Sequence, residues 1–270
     1  MNKEIKKNFP AWVDNDKKYY MCLTDDIDSL FSCILLQQIK GYELSHFYSF
    51  SKLYRADNYK NGLKLCGIDM DLNVGRCWGN HTTLNKNENS ANINVIKGIN
   101  QNTYYSKYAG STALEIISYY DYDISNLTEE ALMVLLAIDG MYIPFFPWKI
   151  DFSGTQRRYL KDMELDIIID VAERHTKQEF INIIEKYKLN KKIFMNEDGE
   201  LKTSIDLNGL SKLFNLPFCL PKNKYNQTNT YTDKGLPLYQ FSRFKADLEA
   251  NNDEIFTQAL TNKNYIKFSY

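Results

Sequence analysis

The sequence predicts an α/β protein: a doubly wound, mostly parallel sheet with flanking helices, followed by a smaller C-terminal α+β region. Three observations predict it. Apolar runs of strand length alternate with amphipathic stretches over the first half of the chain, the pattern of a parallel sheet covered by helices. Two of those runs end in acid, at Asp25-Asp26-Ile27-Asp28 and at Asp69-Met70-Asp71, and strand ends are where open α/β sheets present their chemistry. Beyond about residue 190 the alternation gives way to a hairpin pattern and short mixed elements. The expected division is an α/β core over 15–190 and an α+β subdomain over 191–270.

Each element follows from a local signal. Residues 18–23 read as a strand, and 28–40 as a helix with Asp28 or Ser29 at its N-cap. Residues 43–50 and 63–68 are further strands. From 69 to about 102, Gly, Asn and other polar residues dominate and no helical period lasts, so a long loop is expected, of the kind that is often functional. Helices resume over 111–119, where Thr112 and Glu115 have capping-box spacing, and over 127–138, which ends at Asp139-Gly140. Pro144 and Pro147 break the helical pattern across 143–148. Helix is expected again over 158–174 and over 176–187, with Thr176 and Glu179 as a capping box. Residues 192–205 read as a hairpin turning at Asp198-Gly199. A short helix near 207–214, a loop over 217–237 with a polar surface tract at 222–233, a helix over 241–260 broken near Asn251, and a final strand complete the expectation.

Composition narrows the function classes. A formal charge of −1 argues against a protein that simply coats nucleic acid, although a local basic groove stays compatible with it. No apolar run approaches the roughly 20 residues of a membrane span. Residues 1–7 carry charge with no apolar signal core behind them, so a cytoplasmic protein is expected. The five cysteines are odd in number and form no CxxC pair, which points to reduced thiols rather than a disulfide framework or a zinc site.

Five places carry candidate chemistry. Asp26 and Asp28 either share a metal beyond a strand end or serve as helix-capping acids. Asp69 and Asp71 repeat the arrangement, and two strand-end acid pairs in one sheet can face each other across a crevice. His81, in Gly79-Asn80-His81, sits on a turn that can aim an imidazole at those carboxylates, a ligand set suited to manganese or iron. His46 and His175 read as ordinary core and surface residues. Asp139 closes a helix, where an acid opposes the macrodipole; either a cation compensates it or it makes an Asp-Gly turn. Arg157 and Arg158 either hold phosphate oxygens or form an exposed helix start.

Asp26-Ile27-Asp28-Ser29, Asp69, Gly79-Asn80-His81 and Asp139 occur in the order of the four motifs of the DHH phosphoesterase superfamily, which the chain resembles over about residues 18–145. Ser111-Thr112-Ala113-Leu114-Glu115 also resembles the Ser/Thr-led helix that these proteins carry between the third and fourth motifs. The resemblance implies a metal-dependent phosphoesterase acting on a nucleotide or a short single-stranded nucleic acid. Two Mn²⁺ or Mg²⁺ ions would be held by Asp26, Asp28, Asp69, His81 and Asp139, with Asp69 and His81 catalytic and Asn80, Arg157 and Arg158 on the substrate. The sequence departs from the motifs at several positions. Cys22 stands where the family's first histidine ligand falls, Thr24 where some members have Asp, and Gly79-Asn80-His81 where they have Asp-His-His. No Gly-Gly-Gly-His motif occurs near the C-terminus. These departures carry the alternative: a catalytically degenerate binding protein on the same scaffold, acting on a protein or nucleotide partner, of a kind that a phage or mobile element would encode. High aromatic content, with 20 Tyr and 15 Phe, accords with a binding surface and equally with a core.

Overall fold

A computed structural model describes residues 1–147 and 152–270. Trp148, the last residue of the expected helix break, lies outside them. The chain opens with α1 (Lys3–Lys6) and enters its central sheet at β1 (Tyr19–Leu23). Then come α2 (Ile27–Lys40), β2 (Glu43–Tyr48), β3 (Lys52–Ala56), β4 (Lys64–Ile68), β5 (Cys77–Trp78), β6 (Ser90–Ala91) and α3 (Ile93–Ile96). A helical stretch follows: α4 (Thr112–Tyr119), α5 (Glu129–Ala137), α6 (Ser153–Asp162), α7 (Asp166–Arg174) and α8 (Lys177–Tyr187). The chain ends with β7 (Ile193–Met195), β8 (Leu201–Thr203), α9 (Leu207–Phe214), β9 (Tyr225–Thr230), β10 (Asp233–Pro237), α10 (Leu238–Ala250), β11 (Thr257–Asn262) and β12 (Tyr265–Ser269).

Seven strands form the central sheet, in the order β6-β5-β4-β1-β2-β3-β9. The five from β6 to β2 run parallel, and β3 and β9 continue antiparallel. The chain leaves β1 toward β2 on one side and later returns to β4 on the other. The carboxyl ends of β1 and β4 therefore flank a topological switch point, the usual crevice of such sheets. β1 is buried along its whole length, as a central parallel strand with both faces covered must be. On one face α2 packs against β1 and β4 and against α4, and its Leu30, Phe31, Ile34 and Leu35 sit in the main core. On the other, Cys22, Tyr48 and Met70 form a small core with Tyr231 and Phe256 packed against it.

Several elements differ from the sequence-based expectation for identifiable reasons. The N-cap of α2 is Asp26, whose side chain accepts the Ser29 N–H; Asp28 falls in the first turn and points inward. The stretch 69–102 contains β5, β6 and α3, elements too short for a periodicity to register. No capping box joins Thr112 to Glu115: Ser111 caps α4, and the buried Glu115 carboxyl accepts the Ile93 N–H at 2.6 Å instead. The pattern over 158–174 is two helices, interrupted at Glu164, whose φ is 57°. The expected loop over 217–237, with its polar tract, contains β9 and β10. The Asn, Gln and Thr side chains of β9 are exposed on an outer strand held by its backbone to β3, a polar edge that shows no hydrophobic alternation. The helix expected over 241–260 stops at Ala250, and 257–262 is strand β11.

The C-terminal segment is woven into the rest. β9 completes the central sheet, while β10, β12 and β11 form a separate antiparallel sheet. That small sheet is tied to the crevice by β11, which bridges to Leu72 and Thr82 and whose Gln258 N–H donates to the Asp71 carbonyl at 3.0 Å. Among the described residues no helix is long and apolar enough to cross a membrane. All five cysteines are free thiols, four of them buried.

Candidate metal centre

The crevice is assembled by hydrogen bonds that short polar side chains make across strand ends. Ser29 accepts the Thr24 N–H at 2.8 Å and donates to the Ile68 carbonyl at 2.7 Å, joining the ends of β1 and β4. Asp28, fully buried, receives the first backbone amides of α4: Thr112 N–H at 2.7 Å and Ala113 N–H at 2.9 Å. A helix N-terminus is a favourable place for a carboxylate, since it meets unpaired N–H groups and the positive end of the dipole. The Thr112 hydroxyl donates to Asp69 at 2.9 Å, so one helix start holds both acids.

Asp69 and Asp139 share an unusual backbone. Both are left-handed, with φ of 56° and 55°, a conformation that Asp tolerates better than most residues but that still costs energy. Asp139 lies two residues beyond the end of α5, in a turn with Gly140, so the Asp-Gly turn is present, and the turn carries its carboxylate to the crevice. Asp28, Asp69 and Asp139 each offer an oxygen, and these lie within 4.8 Å of one another. Burial pushes the Asp28 and Asp69 carboxyls well above the ordinary range, and the neighbouring acid charges add to it. Asp139 is exposed as a residue, but its carboxyl faces the other acids, and desolvation and Asp26 raise it against the opposing pull of His81 and Asn80.

His81 lies beside this group rather than within it. Its Nδ1 is 2.9 Å from Asp71 Oδ2, and Asp71 Oδ1 accepts from Asn92 at 2.8 Å. Burial lowers the imidazole pKa, but the hydrogen bond and charge of Asp71 outweigh it, and the net shift is upward. Gly79 explains part of the altered triplet: a Cβ there would come 2.4 Å from Asp71 Oδ1. Any larger residue at 79 would displace the acid that holds His81. Asn80 donates to Asp139 at 2.6 Å and to the Gly110 carbonyl at 3.1 Å, which makes it a positioning residue for Asp139. Its buried Oδ1 has no partner.

The predicted residues thus divide. Asp28, Asp69 and Asp139 converge, His81 and Asn80 line the same cleft, and Asp26 stands at its rim with Asp25. Arg157 and Arg158 are not brought there. Arg157 donates to Glu173 at 2.7 Å and Ser153 at 2.6 Å on the α6–α7 surface, and Arg158 donates to Thr155 at 3.3 Å. Among the described residues the cations lining the cleft, of about 570 Å³, are Lys107, Lys192 and Lys267, none of which the motif order reveals. Asn92 and Asn94 were equally hidden. They hold the His81 loop through the His81, Asn80 and Tyr108 carbonyls, and an Asn-x-Asn spacing in a structureless stretch was their only signal.

The donor set fits a hard divalent cation. Three carboxylate oxygens gather with no ion-pair partner among the described residues, and oxygen donors suit Mg²⁺ or Mn²⁺. Asn80, whose amide holds Asp139, keeps a buried Oδ1 without a partner among the described residues. No family model, no curated protein and no solved structure matches this chain.

Proposed function

We propose that the crevice hydrolyses a phosphoester of a nucleotide or short single-stranded nucleic acid, with Mn²⁺ or Mg²⁺ held by Asp28, Asp69 and Asp139. The observation that carries this reading is the convergence of those three carboxylates, to within 4.8 Å, at a topological switch point. Bound there, such an ion supplies Lewis acidity and water activation. The chain's own groups do the remaining work. Lys107 and Lys267 draw phosphate oxygens into the cleft and offset their charge. Asp71 anchors His81 through Nδ1, which leaves Nε2 to give a proton to the departing oxygen. Phe50, half-exposed at the rim, offers a face on which a base can stack.

The test is hydrolysis of bis(p-nitrophenyl) phosphate with Mn²⁺ by the wild type and by Asp69→Asn, a substitution that keeps shape and tolerates the left-handed backbone. The expected result is a rate at least about 100-fold lower in the variant. Equal rates in both would assign the turnover to a contaminant and remove the reading. A second reading, binding without hydrolysis on the same scaffold, is favoured by Lys192, whose ammonium already meets Asp25 and Asp26. Under it neither protein turns over the diester, and both bind a nucleotide equally.

A further inference from the structure

Asp25 and Asp26 stand at the rim of the same cleft, yet their charge already has a partner. Lys192 Nζ lies 2.9 Å from Asp25 Oδ1 and 3.4 Å from Asp26 Oδ2. The placement is built into the backbone: the Ile193 N–H donates to the Asp25 carbonyl at 2.7 Å, so the start of β7 is anchored on the acidic loop. Asp26 is further engaged by its other oxygen, which caps α2 at the Ser29 N–H. Cys22, where the motif resemblance implies a histidine ligand, sits four residues before Asp26. It is 1% exposed and packed with Tyr48 and Met70 in the small apolar core. Both acids on this side therefore already meet a positive charge.

The Asp28–Asp69–Asp139 side differs. Among the described residues no Lys or Arg forms an ion pair with any of the three. Asn80, 5% exposed, directs its amide at Asp139 and keeps a buried Oδ1 without a partner. A buried acceptor left without a partner among the described residues, on the residue whose amide holds Asp139, leaves room for a cation at this side.

We infer that this crevice takes one divalent ion, at Asp28, Asp69 and Asp139, and that the Lys192 ammonium supplies the second positive charge beside Asp25 and Asp26. The inference rests on the metal reading above and departs from the two ions that the motif resemblance implies. An ammonium is a fixed charge with three donors, able to hold a phosphate oxygen but not to activate water. One ion and one lysine therefore divide the work that two ions share in a dinuclear site.

The experiment is calorimetric titration of the metal-free full-length chain with MnCl₂, followed by electron paramagnetic resonance of the loaded protein. One Mn²⁺ per chain with the hyperfine pattern of an isolated ion is expected. Asp69→Asn should weaken binding by about 100-fold or more, whereas Asp26→Asn should change it by less than about tenfold. Lys192→Met should tighten the single site severalfold, because a nearby positive charge is removed. Two ions per chain with an exchange-coupled signal would overturn the single-ion inference and leave the hydrolytic reading intact. No Mn²⁺ bound at millimolar concentration would overturn both.

Discussion

Two acidic groups meet the same crevice and differ in how their charge is compensated. At the rim, Asp25 and Asp26 are partly exposed and share the ammonium of Lys192. A few residues on, Asp28 joins Asp69 and Asp139 in a group whose protein partners are neutral donors: backbone amides, the Thr112 hydroxyl and the Asn80 amide. Neutral donors soften the repulsion among three carboxyls but do not cancel it, and all three are raised toward proton retention. The difference teaches that acidity alone does not mark a cation site. What sets the inner group apart is acid that the fold gathers and leaves without an ion-pair partner among the described residues.

The sharpest way to break this contrast is Asp69→Asn, which should move function and stability in opposite directions. Mn²⁺ affinity falls by about two orders of magnitude, the largest effect expected. In metal-free buffer the same variant should melt at or above the wild-type temperature at pH 8. A carboxyl whose folded pKa is raised contributes its full stability below its unfolded value, near 4, and loses it as pH rises through the folded value. The variant's advantage should therefore shrink as pH is lowered toward 4. A constant difference across pH, measured by thermal melts, would show that Asp69 carries no buried-charge penalty.

Gly79→Ala tests the His81 side. Its Cβ would meet Asp71 Oδ1 at 2.4 Å and the Met70 carbonyl at 2.9 Å, so a loss of about 1–3 kcal/mol is expected in urea denaturation, with slower diester hydrolysis. Ser29→Ala removes the link between the ends of β1 and β4 and leaves the Thr24 N–H unpaired. It should cost about 1–2 kcal/mol and weaken Mn²⁺ binding, since Asp28 and Asp69 stand on the two joined ends. Loss of stability with unchanged Mn²⁺ affinity would separate the link from the site.

The smallest effect lies away from the crevice. Burial, with a contribution from Arg55, holds the His46 imidazole down to about 4. A histidine depressed in the fold stabilises it above the ordinary value near 6.5, and that stability is lost as pH falls toward 4. His46→Gln should flatten this part of the acid limb by on the order of 1 kcal/mol, after allowance for solvent screening. The metal affinity should not change.

Much of the architecture was legible because its signals are local. The runs ending at Leu23 and Ile68 are apolar and bounded by acid, and the Thr176–Glu179 capping box forms as its spacing predicts. Elements of two residues, such as β5 and β6, give no period to read. The strand β9 was missed because an edge strand paired through its backbone leaves its side chains free to be polar. Among the site residues, Asp28, Asp69 and Asp139 could be named from position, whereas the lysines of the cleft arrive from 107, 192 and 267 with no motif around them.

What the sequence determined by itself is the longer strands and helices of the first half and the acids that follow β1, β4 and α5, because capping, apolar runs and turn residues act over a few positions. Only the tertiary structure decided which of those acids would share one pocket and which would be met by a lysine. Asp26 and Asp28 are two residues apart and chemically alike. The start of β7 brings Lys192 to one, and the start of α4 brings only neutral amides to the other. Compensation of charge depends on partners more than 80 residues away in the chain, and no local pattern records them.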